Sequence, residues 1–277
     1  MRVIPMAVFL ALVLVGSPSV AQIDYSTGAV NNYPEIPCLG PDLPSDIPEA
    51  NDFRTWYTLA GLHNVTRWEN GDVWGSDFRD STNGSNNDRD PSGGSDITQL
   101  YFYTGHGFCE NPPVAGSGDF VFVCGNFGKP NRSRIGTQSR WGNNGGRLEF
   151  MFLDASCPMD LPEIQSEWFA PFQGLHVATG NSGDVNHDTL ESETRGSQFA
   201  AYTVGVSFGP FILFPQLSVG DAWMATGTID VQSQVCAVAL AAGNDRSDAI
   251  NRRQNEFITS HWSNPVPNWF AWRWVCN

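Results

Sequence analysis

Five short runs in this chain are rich in apolar, β-prone residues on both alternating faces: 97–104 ("ITQLYFYT"), 119–124 ("DFVFVC"), 147–153 ("RLEFMFL"), 174–179 ("GLHVAT") and 233–241 ("SQVCAVALA"). A strand with one wet face alternates apolar and polar residues, so runs without that alternation belong to a sheet covered on both sides. The stretches at 50–62, 160–170, 196–207, 219–227 and 246–262 suit helices between such strands. The expectation is an α/β fold: a mostly parallel sheet of about six strands with helices on both faces.

The ends of the chain set the domain limits. Residues 1–21 carry Arg2, the apolar run "AVFLALVLVG" and then "SPSVA", with small residues where a signal peptidase reads, so they are expected to be a cleaved leader. Residues 22–50 are proline-rich and aperiodic and read as an extended arm; residues 51–277 read as one α/β domain. Export makes the protein secreted and extracellular, where its six cysteines can form disulfides. Once Arg2 has left, 14 basic residues face 29 acidic ones, which argues against a nucleic-acid partner. The uncharged stretch 197–220 ("SQFAAYTVGVSFGPFILFPQLSVG") holds prolines and glycines and is expected to be a buried helix followed by a core loop, not a membrane span.

Two strands end alike. "LYFYTGHG" runs to His106 between two glycines, and "RLEFMFLDASC" runs to Asp154 and then Cys157. If these strands are parallel neighbours, imidazole and thiol emerge at the same carboxyl edge, where open α/β sheets bind ligands. A histidine beside a cysteine can generate the thiolate, which is the nucleophilic form.

These two motifs, with 51 residues from His106 to Cys157, make the chain resemble the caspase-like cysteine peptidases. "FQGLHVATGNSGD" and "VGDAWMATG" are similar to a secreted branch of that group. The resemblance implies a caspase-like fold in which His106 is the general base, Cys157 the nucleophile and the Gly107 N–H, with that of Cys157, the oxyanion donor. It implies a secreted cysteine endopeptidase acting on a protein or peptide substrate, with no cofactor. Pro158 directly after Cys157 departs from the usual pattern.

Several residues admit more than one role. Asp154 can orient the base, contact a basic substrate group or cap its strand; His176 is either a rival base lining the same edge or a core histidine. A pairing of Cys109 with Cys124 and of Cys38 with Cys276 would leave Cys236 as a packed thiol and Cys157 free. A bridged Cys157 could attack nothing, and the chain would then be a caspase-like binding scaffold without catalysis. Its ten tryptophans, several in "HWSNPVPNWFAWRW", could then offer an aromatic surface. A trypsin-like reading of Ser182 in "TGNSGD" lacks the necessary chain length, and a zinc site from His106, His176 and His187 lacks close ligand spacing. Residues 77–96 ("DFRDSTNGSNNDRDPSGGSD") read as a solvated loop whose aspartates and asparagines offer calcium donors without EF-hand spacing.

Overall fold

A computed structural model describes residues 22–33, 42–83, 87–91, 93–108, 120–122, 132–142, 145–160, 164, 168–185, 192–227, 235–260 and 262–276. The expected leader and Cys38, Cys109 and Cys124 lie outside these residues. In chain order the elements are β1 (Asp24–Ala29), α1 (Asp46–Leu59), β2 (His63–Glu69), β3 (Leu100–Thr104), β4 (Gly107–Phe108), β5 (Phe120–Phe122), β6 (Arg132–Arg134) and α2 (Ile135–Gln138). They continue with β7 (Phe150–Asp154), β8 (Val177–Ser182), α3 (Ser192–Val204), β9 (Val206–Phe208), β10 (Phe211–Phe214), α4 (Val219–Gly227), β11 (Cys236–Gly243), α5 (Arg246–Asn255) and β12 (Trp269–Cys276).

The α/β expectation holds, with a larger sheet than expected. Seven strands run in the order β12-β11-β8-β7-β3-β1-β2. The five from β2 to β8 are parallel, and β11 and β12 add on antiparallel. Leu100, Phe102, Phe150, Phe152, Val177 and Ala239 point to one side, where they meet Phe53 of α1, Phe199 of α3 and Trp223 of α4. Tyr101, Tyr103, Met151, Leu153, Ala178 and Leu240 point to the other. This period of two, apolar on both faces, is why the central strands are legible in the sequence.

Three expectations change. The supposed arm contributes β1, an interior strand between β2 and β3. Its sequence "DYSTGA" is small and polar, but Ser26 and Thr27 are fully buried and Thr27 Oγ1 accepts a 3.0 Å bond from Arg54. Helices lie on both faces, unevenly: α1, α3 and α4 cover one, and on the Tyr101 face Ile164 is helical, accepting from the Trp168 N–H at 3.2 Å, beside loops, 3₁₀ turns and the four-residue α2. The run at 119–124 is not in the main sheet; its described part, β5, belongs to a separate three-stranded sheet. The end of the uncharged stretch is not a core loop but the β9–β10 hairpin, whose Phe208, Phe211, Ile212 and Leu213 are exposed.

The cysteine pairing changes too. Antiparallel register puts Cys236 opposite Cys276, and the two form a disulfide across a sequence separation of 40. Cys236 is therefore not a free packed thiol, and Cys276 does not pair with Cys38. A bridge closing a loop of this length removes about 4 kcal/mol of unfolded-state entropy in the chain-entropy model. Replacing both cysteines by serine (Cys236→Ser, Cys276→Ser) should lower the unfolding free energy by about that amount in urea titration. A loss below about 1 kcal/mol would mean that the β-ladder alone fixes β12.

Candidate functional site

The site is built where β3 and β7 end side by side. Parallel register pairs Thr104 with Asp154, so the next residues of both strands leave the sheet at one rim. His106 and Cys157 are in that sense delivered to the same edge, as the strand pattern requires.

Packing explains the glycines around His106. A Cβ on Gly105 would stand 2.3 Å from the Tyr103 hydroxyl and 2.8 Å from that of Tyr33. A Cβ on Gly107 would stand 1.8 Å from the Ser156 carbonyl oxygen, so the two strand-end loops touch backbone to backbone. His106 itself is clasped by tyrosines. Its N–H donates to Tyr33 Oη at 2.8 Å, its carbonyl accepts from Tyr103 Oη at 3.2 Å, and its ring lies 4.3 Å from the Tyr33 ring. Tyr33 comes from the segment read as an arm, so no spacing in the sequence links it to His106.

The cysteine is in a different chemical state from the one expected. Cys157 is disulfide-bonded, with its partner outside the described residues, and the described residues contain no free cysteine. It is 2 % exposed and adopts a left-handed backbone with φ of 55°. Its N–H donates to the Gly183 carbonyl at 3.1 Å, so that group is occupied and is not an oxyanion donor. Further bonds fasten the same loop to β8 and the segment after it: Met159 N–H to Asn181 O at 3.1 Å, and Val185 N–H to Ser156 Oγ at 3.0 Å. A sulfur already bonded to sulfur has no thiolate to offer, so the nucleophilic half of the expected dyad is missing in this state. Gly107 opens β4, opposite Val121, in the small sheet that leaves the rim.

Asp154 is fully buried below the rim. Its Oδ1 accepts 2.8 Å bonds from Asn181 Nδ2 and from an Arg195 guanidinium that is itself 4 % exposed. Glu49 of α1 completes the cluster, accepting from Thr104 Oγ1 at 2.6 Å and from the Gly196 N–H at 2.9 Å. Burial, then the charge of Asp154 and a side-chain hydrogen bond with it, push the Glu49 carboxyl well above its ordinary range. One arginine thus faces two carboxyl groups, joining α1, β3, β7, β8 and the start of α3. Neither Glu49 nor Arg195 stands at a spacing that sequence reading could pick out.

His176 is not at this rim. It precedes β8, whose Val177 pairs with Phe150 at the start of β7, so it lies at the opposite edge of the sheet. It is fully buried, with Nδ1 donating to the Glu256 carboxylate and Nε2 facing Asn264 Oδ1 at 3.2 Å. It is a core histidine. His106 and His176 therefore cannot share a zinc ion, and His187 lies outside the described residues.

The Glu49 carboxyl gives the fold a pH dependence. A group whose folded pKa is raised contributes stability below the unfolded carboxyl range, near 4.5, and loses it as pH rises toward the folded value. Glu49→Gln keeps an acceptor for the Gly196 N–H and offers its amide to Thr104 Oγ1. It should lie within about 1 kcal/mol of wild type at pH 5 and become the more stable of the two as pH rises to 9. Urea titrations across that range test this; parallel curves for the two proteins would refute it.

None of the curated proteins compared with the chain matches it. A family model described as "Domain of unknown function (DUF6345)" matches residues 28–274, from inside β1 to within β12. The match takes in five strands of the main sheet whole, parts of β1 and β12, and the rim where β3 and β7 end, and the chain belongs to the DUF6345 family.

Proposed function

We propose that this chain is a secreted, non-catalytic interaction scaffold of caspase-like type, with a rim that is locked rather than reactive. The bonded sulfur of Cys157 carries this reading: without a free thiol, His106 has no proton to exchange and the rim has no group to attack a carbonyl. The β9–β10 hairpin supplies a surface for binding. Phe208, Phe211, Ile212 and Leu213 are 48 %, 68 %, 70 % and 59 % exposed, next to one another, on a chain of net charge −14. Phe214 anchors the hairpin, 6.1 Å from the Trp56 ring and 5.3 Å from that of Tyr202. An apolar hairpin exposed on both of its faces, on a firm base, suits a protein partner with an apolar face. The tryptophans serve this less well, since the exposed Trp269 and Trp274 of β12 are five positions apart and so on opposite faces of the sheet.

The pairing of β3 with β7 favours a second reading, a cysteine hydrolase released by reduction. An external dithiol would reduce the Cys157 bridge and be oxidised in its place. The Cys157 thiolate would then attack a peptide carbonyl, His106 would shuttle the proton to the leaving amine, and the Gly107 N–H would face the oxyanion.

One measurement separates the two. Purified oxidised protein is treated with iodoacetamide, digested without reduction and mapped by mass spectrometry, with peptidase assays before and after mild reduction. The scaffold reading expects Cys157 in a disulfide-linked peptide, no alkylation of the folded protein, and no hydrolysis in either state. Hydrolysis that appears on reduction and is lost in both His106→Ala and Cys157→Ala would overturn it in favour of the hydrolase.

A further inference from the structure

A slip in the ladder of the edge strand brings two arginines to one hollow. β1 and β2 run parallel with Tyr25 opposite Asn64 and Ser26 opposite Thr66, so Val65 is left over as an extra residue. An extra residue turns every later side chain of its strand to the other face. Asn64 and Arg67, three places apart, therefore both lie on the side of β1 that carries Tyr25 and Thr27. That side faces α1: the Tyr25 ring packs on Phe53 and Tyr57, and Arg54 donates to Thr27 Oγ1 at 3.0 Å. Trp68, one place on, packs against the opposite core, as the shifted register requires.

Between α1 and β2 lies a cavity of about 460 Å³, within the size of small-molecule sites. Arg54, Arg67, Asn51 and the hydroxyl residues Tyr25, Thr55 and Thr58 line it, and no acidic residue is among its described lining. Arg54 is the buried member, with 9 % of its side chain exposed against 52 % for Arg67. Their charges are not balanced. Both reach one carboxylate oxygen, Glu69 Oε1, at 2.6 Å from Arg67 Nε and 3.4 Å from Arg54 Nη2. Burial, and next the charge of Arg67, hold the Arg54 guanidinium below its ordinary range, yet a guanidinium does not give up its proton in a protein. The two Nη groups of Arg67 have no acceptor among the described residues. The Asn51 amide N–H groups are also left to donate, since its Oδ1 accepts from Arg54.

We propose that this cavity binds a small organic carboxylate bearing hydroxyl groups, of the sugar-acid class, with Arg67 gripping the carboxylate and the polar lining holding the hydroxyls. A planar guanidinium with two free N–H groups matches a carboxylate through two parallel bonds. The hydroxyls of the lining select the rest of the ligand. Thr55 Oγ1 donates its proton to the Asn51 carbonyl at 2.9 Å, which leaves it able only to accept. An acceptor there suits a ligand hydroxyl and repels the oxygens of a compact inorganic anion. The site uses neither His106 and Cys157 at the rim nor the β9–β10 hairpin, so it does not depend on whether the rim is locked.

Calorimetric titration of the full oxidised protein with glucuronate at low salt tests this, with glucose and inorganic phosphate as the comparison ligands. Glucuronate should bind, and glucose and phosphate should each bind more weakly by about tenfold or more, the worth of one charge-assisted hydrogen bond. Sodium chloride should weaken glucuronate binding, because the partly exposed Arg67 is open to screening. Arg67→Ala should weaken it by about tenfold or more, and Arg67→Lys should recover only part of that, since an ammonium has no planar fork. Thr55→Glu, at an exposed position of α1, keeps both arginines but sets a carboxylate of the chain's own before them, and should abolish binding. Melting curves confirm that each variant is folded, and the two substitutions stand on different elements, so either one decides if the other does not fold. No heat with glucuronate, equal binding of glucose or phosphate, or unchanged binding by Arg67→Ala or Thr55→Glu would each overturn the proposal.

Discussion

A parallel sheet buried on both faces brings its strand ends, with their unpaired backbone groups and polar side chains, to one rim, and here the buried Asp154–Arg195 pair holds that rim together. The pair lies at the end of β7, and its partners come from β8 and the start of α3, with Glu49 of α1 close by. Each partner arrives from a different part of the chain, so the pair fixes where α1 and α3 stand over the sheet. Removing either charge would leave the other buried and unpaired, at a cost of about 3–5 kcal/mol. The Glu49 carboxyl is pushed up because it is buried and a second carboxylate beside Asp154 would leave Arg195 outnumbered.

Parts of the chain were legible because their chemistry is uniform along the strand. β3, β7 and β11 are apolar on both faces, and the loops that follow β3 and β7 end in His106 and Cys157, so their adjacency and the shared rim could be inferred. β1 was hidden because "DYSTGA" looks like loop composition; it is buried by hydrogen bonding and close packing rather than by apolar bulk. A Cβ at its Gly28 would lie 2.6 Å from the Tyr101 hydroxyl, so small residues there serve packing. β2, "HNVTRWE", alternates because it is the exposed edge, and β12 was read for its aromatic surface rather than as a strand. Once β12 is a strand, its ladder with β11 decides one disulfide and removes Cys276 as a partner for Cys38.

The rim shows why strand geometry alone does not identify an enzyme. The sequence pattern concerns position, and the position of His106 and Cys157 at one edge follows from the β3–β7 register. Catalysis concerns the state of the sulfur, and that depends on which of the remaining cysteines comes near it. No rule of spacing among six cysteines decides this; it needs the fold. The loop of Cys157 is also fastened to β8 and the segment after it at Ser156, Cys157 and Met159. It is held as part of the framework, which is what a structural bridge requires.

Irregular segments cover much of one face of the sheet, and several of the covalent and ionic ties are found there. The helical face encloses Phe53, Phe102, Phe152, Phe199 and Trp223, with apolar area enough to hold its cover down. The other face is roofed partly by polar segments such as 77–83, which bring few apolar side chains apart from Phe78, and partly by Ile135, Trp141, Ile164, Trp168 and Phe172. Ordering such segments costs about 1–2 kcal/mol per residue in backbone entropy, and apolar burial there offsets only part of it. Polar attachments must make up the difference: aspartates accepting backbone N–H groups, tyrosine hydroxyls clasping the His106 loop, and disulfide-bonded sulfur at Cys157.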